Sequence, residues 1–105
     1  MVKSKKLPIR WDRLAKKHLD LIYEYIANDS INSAKKVKKE LILLAHSLND
    51  FPQKYPIERY LNEEPNEYRS VTKWNYKIIY EVTRESIIIV DVFQTSQHPS
   101  NMILE

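Results

Sequence analysis

A chain of 105 residues, 43% apolar and 30% charged with a net charge of +3, has room for one hydrophobic core and lacks the composition of a disordered segment. It holds no cysteine, which excludes disulfides and thiolate metal sites, and no glycine, which excludes the phosphate-cradling loops of Walker and dinucleotide type. The histidines His18, His46 and His98 show no metal-ligand spacing, and no apolar run approaches the roughly 20 residues of a membrane span. The expectation is one cytoplasmic domain over residues 1–105, with no metal, no cofactor and no membrane contact.

In chain order, residues 5–10, "KKLPIR", read as a short strand that Pro8 confines to an edge or a bulge. Trp11, Leu14, Ala15, His18, Ile22, Tyr25 and Ile26 then recur every three or four residues, which predicts a helix over 12–28 with Asp12 at its N-cap. Asn28, Asp29 and Ser30 interrupt it, and Ala34, Val37, Leu41, Leu44, Ala45 and Leu48 mark a second amphipathic helix capped by Ser30 or Ser33. Two helices separated by so short a break form a helical hairpin. Lys35, Lys36, Lys38 and Lys39 fall mostly off the second apolar stripe, on a solvated face. Residues 51–67, with Pro52, Pro56 and Pro65, form a connector without regular pattern, of a length that is often functional or mobile.

The last third is strand-like: 68–73, 76–82 and 87–93 are rich in Tyr, Ile and Val and joined by short turns, so an antiparallel meander is expected. The nearly continuous run "IIIVDVF" points to a central strand or one covered on both faces. The order β-α-α-β-β-β describes an α+β domain with a helical hairpin laid on one mainly antiparallel sheet.

Charge is unevenly spread. Residues 1–18 carry seven Lys/Arg against Asp12 alone, while 58–67 carry four Glu against Arg59. Arg10, Arg13 and Lys17 thus belong to a basic face suited to nucleic acid or to an acidic protein. The stretch "YRSVTKWNYKIIYEV" over 68–82 adds Arg69, Lys73 and Lys77. A three-residue loop, Trp74-Asn75-Tyr76, sets Lys73 opposite Lys77 and Arg69 opposite Glu81, all on one face. A two-residue loop instead parts Arg69 and Lys73 from Lys77 and places them with Tyr76 and Tyr80. A one-residue slip flips every side chain, and the sequence admits both registers.

Taken together, a Trp opening the first helix, "AKKHLDLIYEYIAND", "SAKKVKKELILLAHSL", the Pro-containing connector, "YRSVTKWNYKIIYEV" and "IIIVDVFQTSQHP" resemble, in order and spacing, the RelE/ParE superfamily of small bacterial toxins. These are the toxic halves of type II toxin–antitoxin pairs, and the resemblance covers residues 9 to about 102. It implies a cognate antitoxin whose C-terminal segment, disordered alone, wraps the sheet and the hairpin.

RelE-like members cut mRNA on the ribosome without a metal, using strand cations, an arginine after the last strand and a C-terminal tyrosine. Here Arg69 and Lys77 match strand positions of that set, with Lys73 beside them and His98 as a candidate acid or base. Val71, however, takes the place of a second strand-two lysine, Gln97 stands where the arginine would, and no tyrosine follows Tyr80. The pattern is more similar to the ParE-like branch, which resembles RelE in fold but poisons DNA gyrase by protein–protein contact, although Gln94 replaces that branch's usual His after "VF". The resemblance therefore implies a non-enzymatic gyrase inhibitor, with Arg10, Arg13, Lys17, Arg69, Lys73, Lys77 and Gln97 as candidate contacts to target or antitoxin. The alternatives are an mRNA endonuclease acting at the ribosome and a remnant that binds antitoxin without toxicity.

Overall fold

The computed structural model describes residues 6–96. It runs β1 (Ile9–Trp11), α1 (Arg13–Ala27), α2 (Ile31–Ser47), β2 (Tyr68–Lys73), β3 (Tyr76–Val82) and β4 (Ile87–Gln94), with two short 3₁₀ turns, Pro52–Lys54 and Arg59–Leu61, in the connector. The four strands lie in the order β1-β4-β3-β2; β4 pairs antiparallel with β3 and parallel with β1. The expected α+β architecture is the observed one.

Local chemistry sets the boundaries. Asp12 occupies the N-cap of α1, but its side chain makes no capping bond; its backbone N–H donates to the Ile89 carbonyl at 3.0 Å, prolonging the β1–β4 pairing. Ser30 does cap α2, its Oγ accepting from the Ser33 N–H at 3.1 Å, a bond worth about 1 kcal/mol. The first strand is shorter and later than 5–10 because its parallel partner sets it: Ile9, Arg10 and Trp11 lie opposite Ile87, Ile88 and Ile89.

The β2–β3 hairpin closes on two residues, Trp74 and Asn75, with Lys73 opposite Tyr76, Thr72 opposite Lys77 and Arg69 opposite Tyr80. Trp74 takes φ 55, a left-handed conformation that costs a residue with a Cβ about 1–2 kcal/mol. A register shift between Ile79 and Tyr80 marks a bulge against β4.

This register divides the sheet. Val71, Tyr76, Ile78, Tyr80, Ile87, Ile89 and Val92 face the helices and pack with Ala15, Leu19, Leu41, Ala45 and Leu48. Alanines at Ala15, Ala34 and Ala45, all fully buried, leave room for close approach of backbones at these contacts. The opposite face holds a smaller cluster, Tyr68, Ile79, Val90 and Phe93, with Leu61 of the connector packed on it. The "IIIVDVF" strand is thus central and covered on both sides, as its apolar run implied.

The connector wraps the β2 edge. The Tyr80 hydroxyl, its pKa pushed up to about 12 mainly by burial, donates to the Pro52 carbonyl at 2.9 Å. Beside β2, Glu58 N–H donates to Tyr68 O and Ser70 N–H to Pro56 O, with a bridge between Ile57 and Arg69. An otherwise open edge of unpaired backbone groups is thereby partly closed from within the chain.

Candidate functional site

The three hairpin cations do not converge. Arg69 lies with Tyr80 and serves the connector: its Nε donates to Glu67 at 2.6 Å and a terminal nitrogen donates to the Tyr55 carbonyl at 2.6 Å. Lys77 projects from the other face, where its Nζ donates to Glu58 Oε1 at 2.8 Å. Lys73 sits at the hairpin tip, its ammonium 5.1 Å from the Trp74 ring. Arg10, Arg13 and Lys17 are exposed on β1 and the start of α1, in no ion pair among the described residues. Gln97 and His98 lie outside the described residues.

Glu58, which sequence reading did not single out, is only 1% exposed although it belongs to the connector. It caps the 3₁₀ turn by accepting from the Tyr60 N–H at 2.9 Å and takes the Lys77 ammonium on its second oxygen. Burial alone would raise its pKa. The Lys77 hydrogen bond, the Tyr60 N–H, the Lys77 charge and the Ser70 hydroxyl together outweigh burial and hold the carboxyl below its ordinary value. The Tyr60 ring lies 6.0 Å from the same ammonium.

A second buried acid lies across the sheet. Asp91 of β4 is 1% exposed, and its Oδ1 is 2.6 Å from His18 Nδ1 of α1, the distance of a strong hydrogen bond from ring to carboxylate. Its Oδ2 is buried without a partner among the described residues. Burial pushes the Asp91 carboxyl above its ordinary range, with His18 pulling the other way. The imidazole borders an open cleft of about 280 Å³ that also touches Leu21, Ile22, Tyr25, Tyr76, Val92 and Gln94. Tyr25 and Leu21 are exposed at its rim, while Tyr76 is buried within. The sequence did carry a signal here: Asp91 is the one charge inside an apolar strand, and such a residue needs a partner from whatever packs above it.

Among the described residues no group of three or more His, Asp or Glu is placed to hold a metal ion, and no helix is long and apolar enough to cross a membrane. The geometry offers buried pairs tying elements together, a cleft beside α1, and cations spread over separate faces.

A search of curated proteins finds no match. Among solved structures, a chain from the "Chromosomal ParDE TA system from P. aeruginosa" is similar at a TM-score of 0.70 and 21% identity, over 87% of this chain and 98% of that one, a likeness of fold. The family model described as the ParE toxin of the type II toxin–antitoxin system parDE matches residues 9–99, which contain the whole β-α-α-β-β-β unit. The chain therefore belongs to the ParE toxin family of type II toxin–antitoxin systems.

Proposed function

We propose that this toxin acts in the cytoplasm by binding DNA gyrase, without catalysing a reaction, and that a cognate antitoxin neutralises it. The observation that carries the reading is the fate of Arg69 and Lys77. RNA cleavage would need these cations around one phosphate as charge develops in the transition state. They instead leave opposite faces of the β2–β3 ribbon, and each is closed on a carboxylate of its own chain. Withdrawing either would leave Glu67 or the buried Glu58 uncompensated, so they support the scaffold at the expense of an anionic ligand. An inhibitory protein contact requires no convergent acid, base and cation set, and the exposed Arg10, Arg13 and Lys17, with the partly exposed Lys73 at the hairpin tip, remain available for such a surface.

The test is to induce the chain in a bacterium and pulse-label DNA and protein synthesis within minutes, alongside a gyrase supercoiling assay with purified protein. DNA synthesis failing first, with inhibited supercoiling, is the expected outcome. Protein synthesis failing first, with mRNA cleavage, would replace this reading by the ribosome-dependent nuclease, and Lys77→Ala would then abolish toxicity. If neither synthesis changes while antitoxin still binds, the chain is a non-toxic remnant.

A further inference from the structure

The cleft beside α1 holds polar groups that neither the core nor the proposed gyrase contact uses. His18 Nδ1 is 2.6 Å from Asp91 Oδ1, which leaves Nε2 as the free polar atom of a ring that lines the cleft. With Nδ1–H donated to the carboxylate, Nε2 of the neutral imidazole is an acceptor. Tyr76 of β3 lines the same cleft and is only 8% exposed, yet its hydroxyl enters no side-chain hydrogen bond among the described residues. Among those residues Asp91 Oδ2 is the one fully enclosed side-chain polar atom without a partner. The equally unpartnered Tyr76 hydroxyl must therefore keep access to open space, and the cleft is the space that Tyr76 lines. Burial, and after it the Tyr25 phenol, raises its pKa and keeps it a protonated donor. The rest of the lining is Leu21, Ile22, Tyr25, Val92 and the half-buried Gln94, with no Lys, Arg, Asp or Glu among the described residues.

We infer that this cleft binds a small neutral nitrogen heteroaromatic of two fused rings, whose ring N–H donates to His18 Nε2 and whose second ring nitrogen accepts from the Tyr76 hydroxyl. The size agrees. A cavity of about 150 Å³ takes a single benzene ring. At about 280 Å³ the cleft has room for a second fused ring, just below the range of drug-sized pockets. The charge agrees as well. An ionised ligand would shed hydration in a recess without an opposite charge, and an anion would also meet the Asp91 carboxylate behind His18. An aliphatic ligand would fill the volume but leave both polar atoms unmatched, whereas a flat ring also has the Tyr25 and Tyr76 rings to pack on. Few polar groups set in apolar walls are the usual make-up of a small-molecule site. The inference does not depend on gyrase being the target.

The experiment is a nuclear magnetic resonance titration of the isotope-labelled full chain with benzimidazole at mildly alkaline pH, where that ligand is uncharged. Two comparators each lack one bond: 1-methylbenzimidazole has the acceptor without the N–H, and indole has the N–H without the acceptor. Shifts are expected around His18, Ile22 and Tyr76, with benzimidazole binding about fivefold tighter than either comparator. Tyr76→Phe removes only the unpartnered hydroxyl, so it should abolish the preference over indole and keep that over 1-methylbenzimidazole. His18→Ala/Asp91→Leu, which removes the acceptor together with the buried acid, should do the reverse. Urea unfolding checks that both variants are folded. Absence of binding, or shifts scattered away from the cleft, would overturn the proposal. So would equal binding of all three ligands, which would make the cleft an apolar recess without hydrogen-bond recognition. Benzoate binding as tightly as benzimidazole would overturn the choice of a neutral ligand, and variants with wild-type preferences would remove His18 and Tyr76 from the site.

Discussion

The His18–Asp91 pair joins α1 to the centre of the sheet through a carboxylate with almost no access to water. Removing one partner of such a pair leaves an uncompensated charge, so His18→Ala should destabilise the protein by about 3–5 kcal/mol at neutral pH. Without His18 only the Val92 backbone N–H still opposes the burial effect on Asp91, and the native state then holds the Asp91 proton more tightly than the unfolded chain does. Stability of the variant therefore falls as pH rises above 3.8, the ordinary value for this carboxyl, and the deficit against wild type should shrink on acidification. Adding Asp91→Leu should recover most of the loss, because an apolar pair needs no compensating charge. Urea unfolding of the single and double variants at several pH values measures both effects. Glu58 has the opposite sign. Its pKa is lowered in the folded state, so its stabilisation is present above the ordinary value of 4.5 and is lost as pH falls through the folded value. Glu58→Gln should accordingly be less stable than wild type at neutral pH, and its stability should decline less on acidification; equal acid limbs would show that the Lys77 contact contributes nothing.

Among the elements, the hairpin β2–β3 shows what a sequence can and cannot disclose. The strand ranges 68–73 and 76–82 were legible because Tyr, Ile and Val alternate with polar residues up to a two-position break. The register was not, because Trp74-Asn75 lacks the glycine that ordinarily announces a two-residue turn. The chain meets the need for positive φ with Trp74 itself, offset in part by the Lys73 ammonium over its ring, a contact worth about 0.5–1 kcal/mol. Asparagine tolerates this conformation better, so Trp74→Asn should stabilise the fold slightly, by about 0.5 kcal/mol, raising the melting temperature by a few degrees. A lower melting temperature would mean that the Trp74 contacts outweigh its backbone strain. The connector was illegible for another reason: Glu58 and the carbonyl of Tyr55 have no periodicity, and their partners, Lys77 and Arg69, lie 19 and 14 positions away. Cations that read as a ligand site from sequence are, in three dimensions, what fastens this segment to the sheet.

At the scale of the whole molecule, charge and core are carried by different parts of the same segment. The β1–α1 stretch supplies Leu7, Ile9 and Trp11 to the core, while Arg10, Arg13 and Lys17 remain exposed on it. Reversing those three charges should therefore leave the packing intact, with stability within about 0.5 kcal/mol per exposed position. Their effect should appear in association. Long-range attraction accelerates encounter with an acidic partner and is screened over about 8–10 Å at ordinary ionic strength. For Arg10→Glu/Arg13→Glu/Lys17→Glu, the association rate with the antitoxin should fall about tenfold or more at low salt, converge on wild type at high salt, and leave dissociation nearly unchanged. Stopped-flow association at two ionic strengths checks this. A variant altered mainly in dissociation would place these residues inside the buried contact; one unaltered in both would remove the basic face from recognition of the antitoxin and leave it to the target.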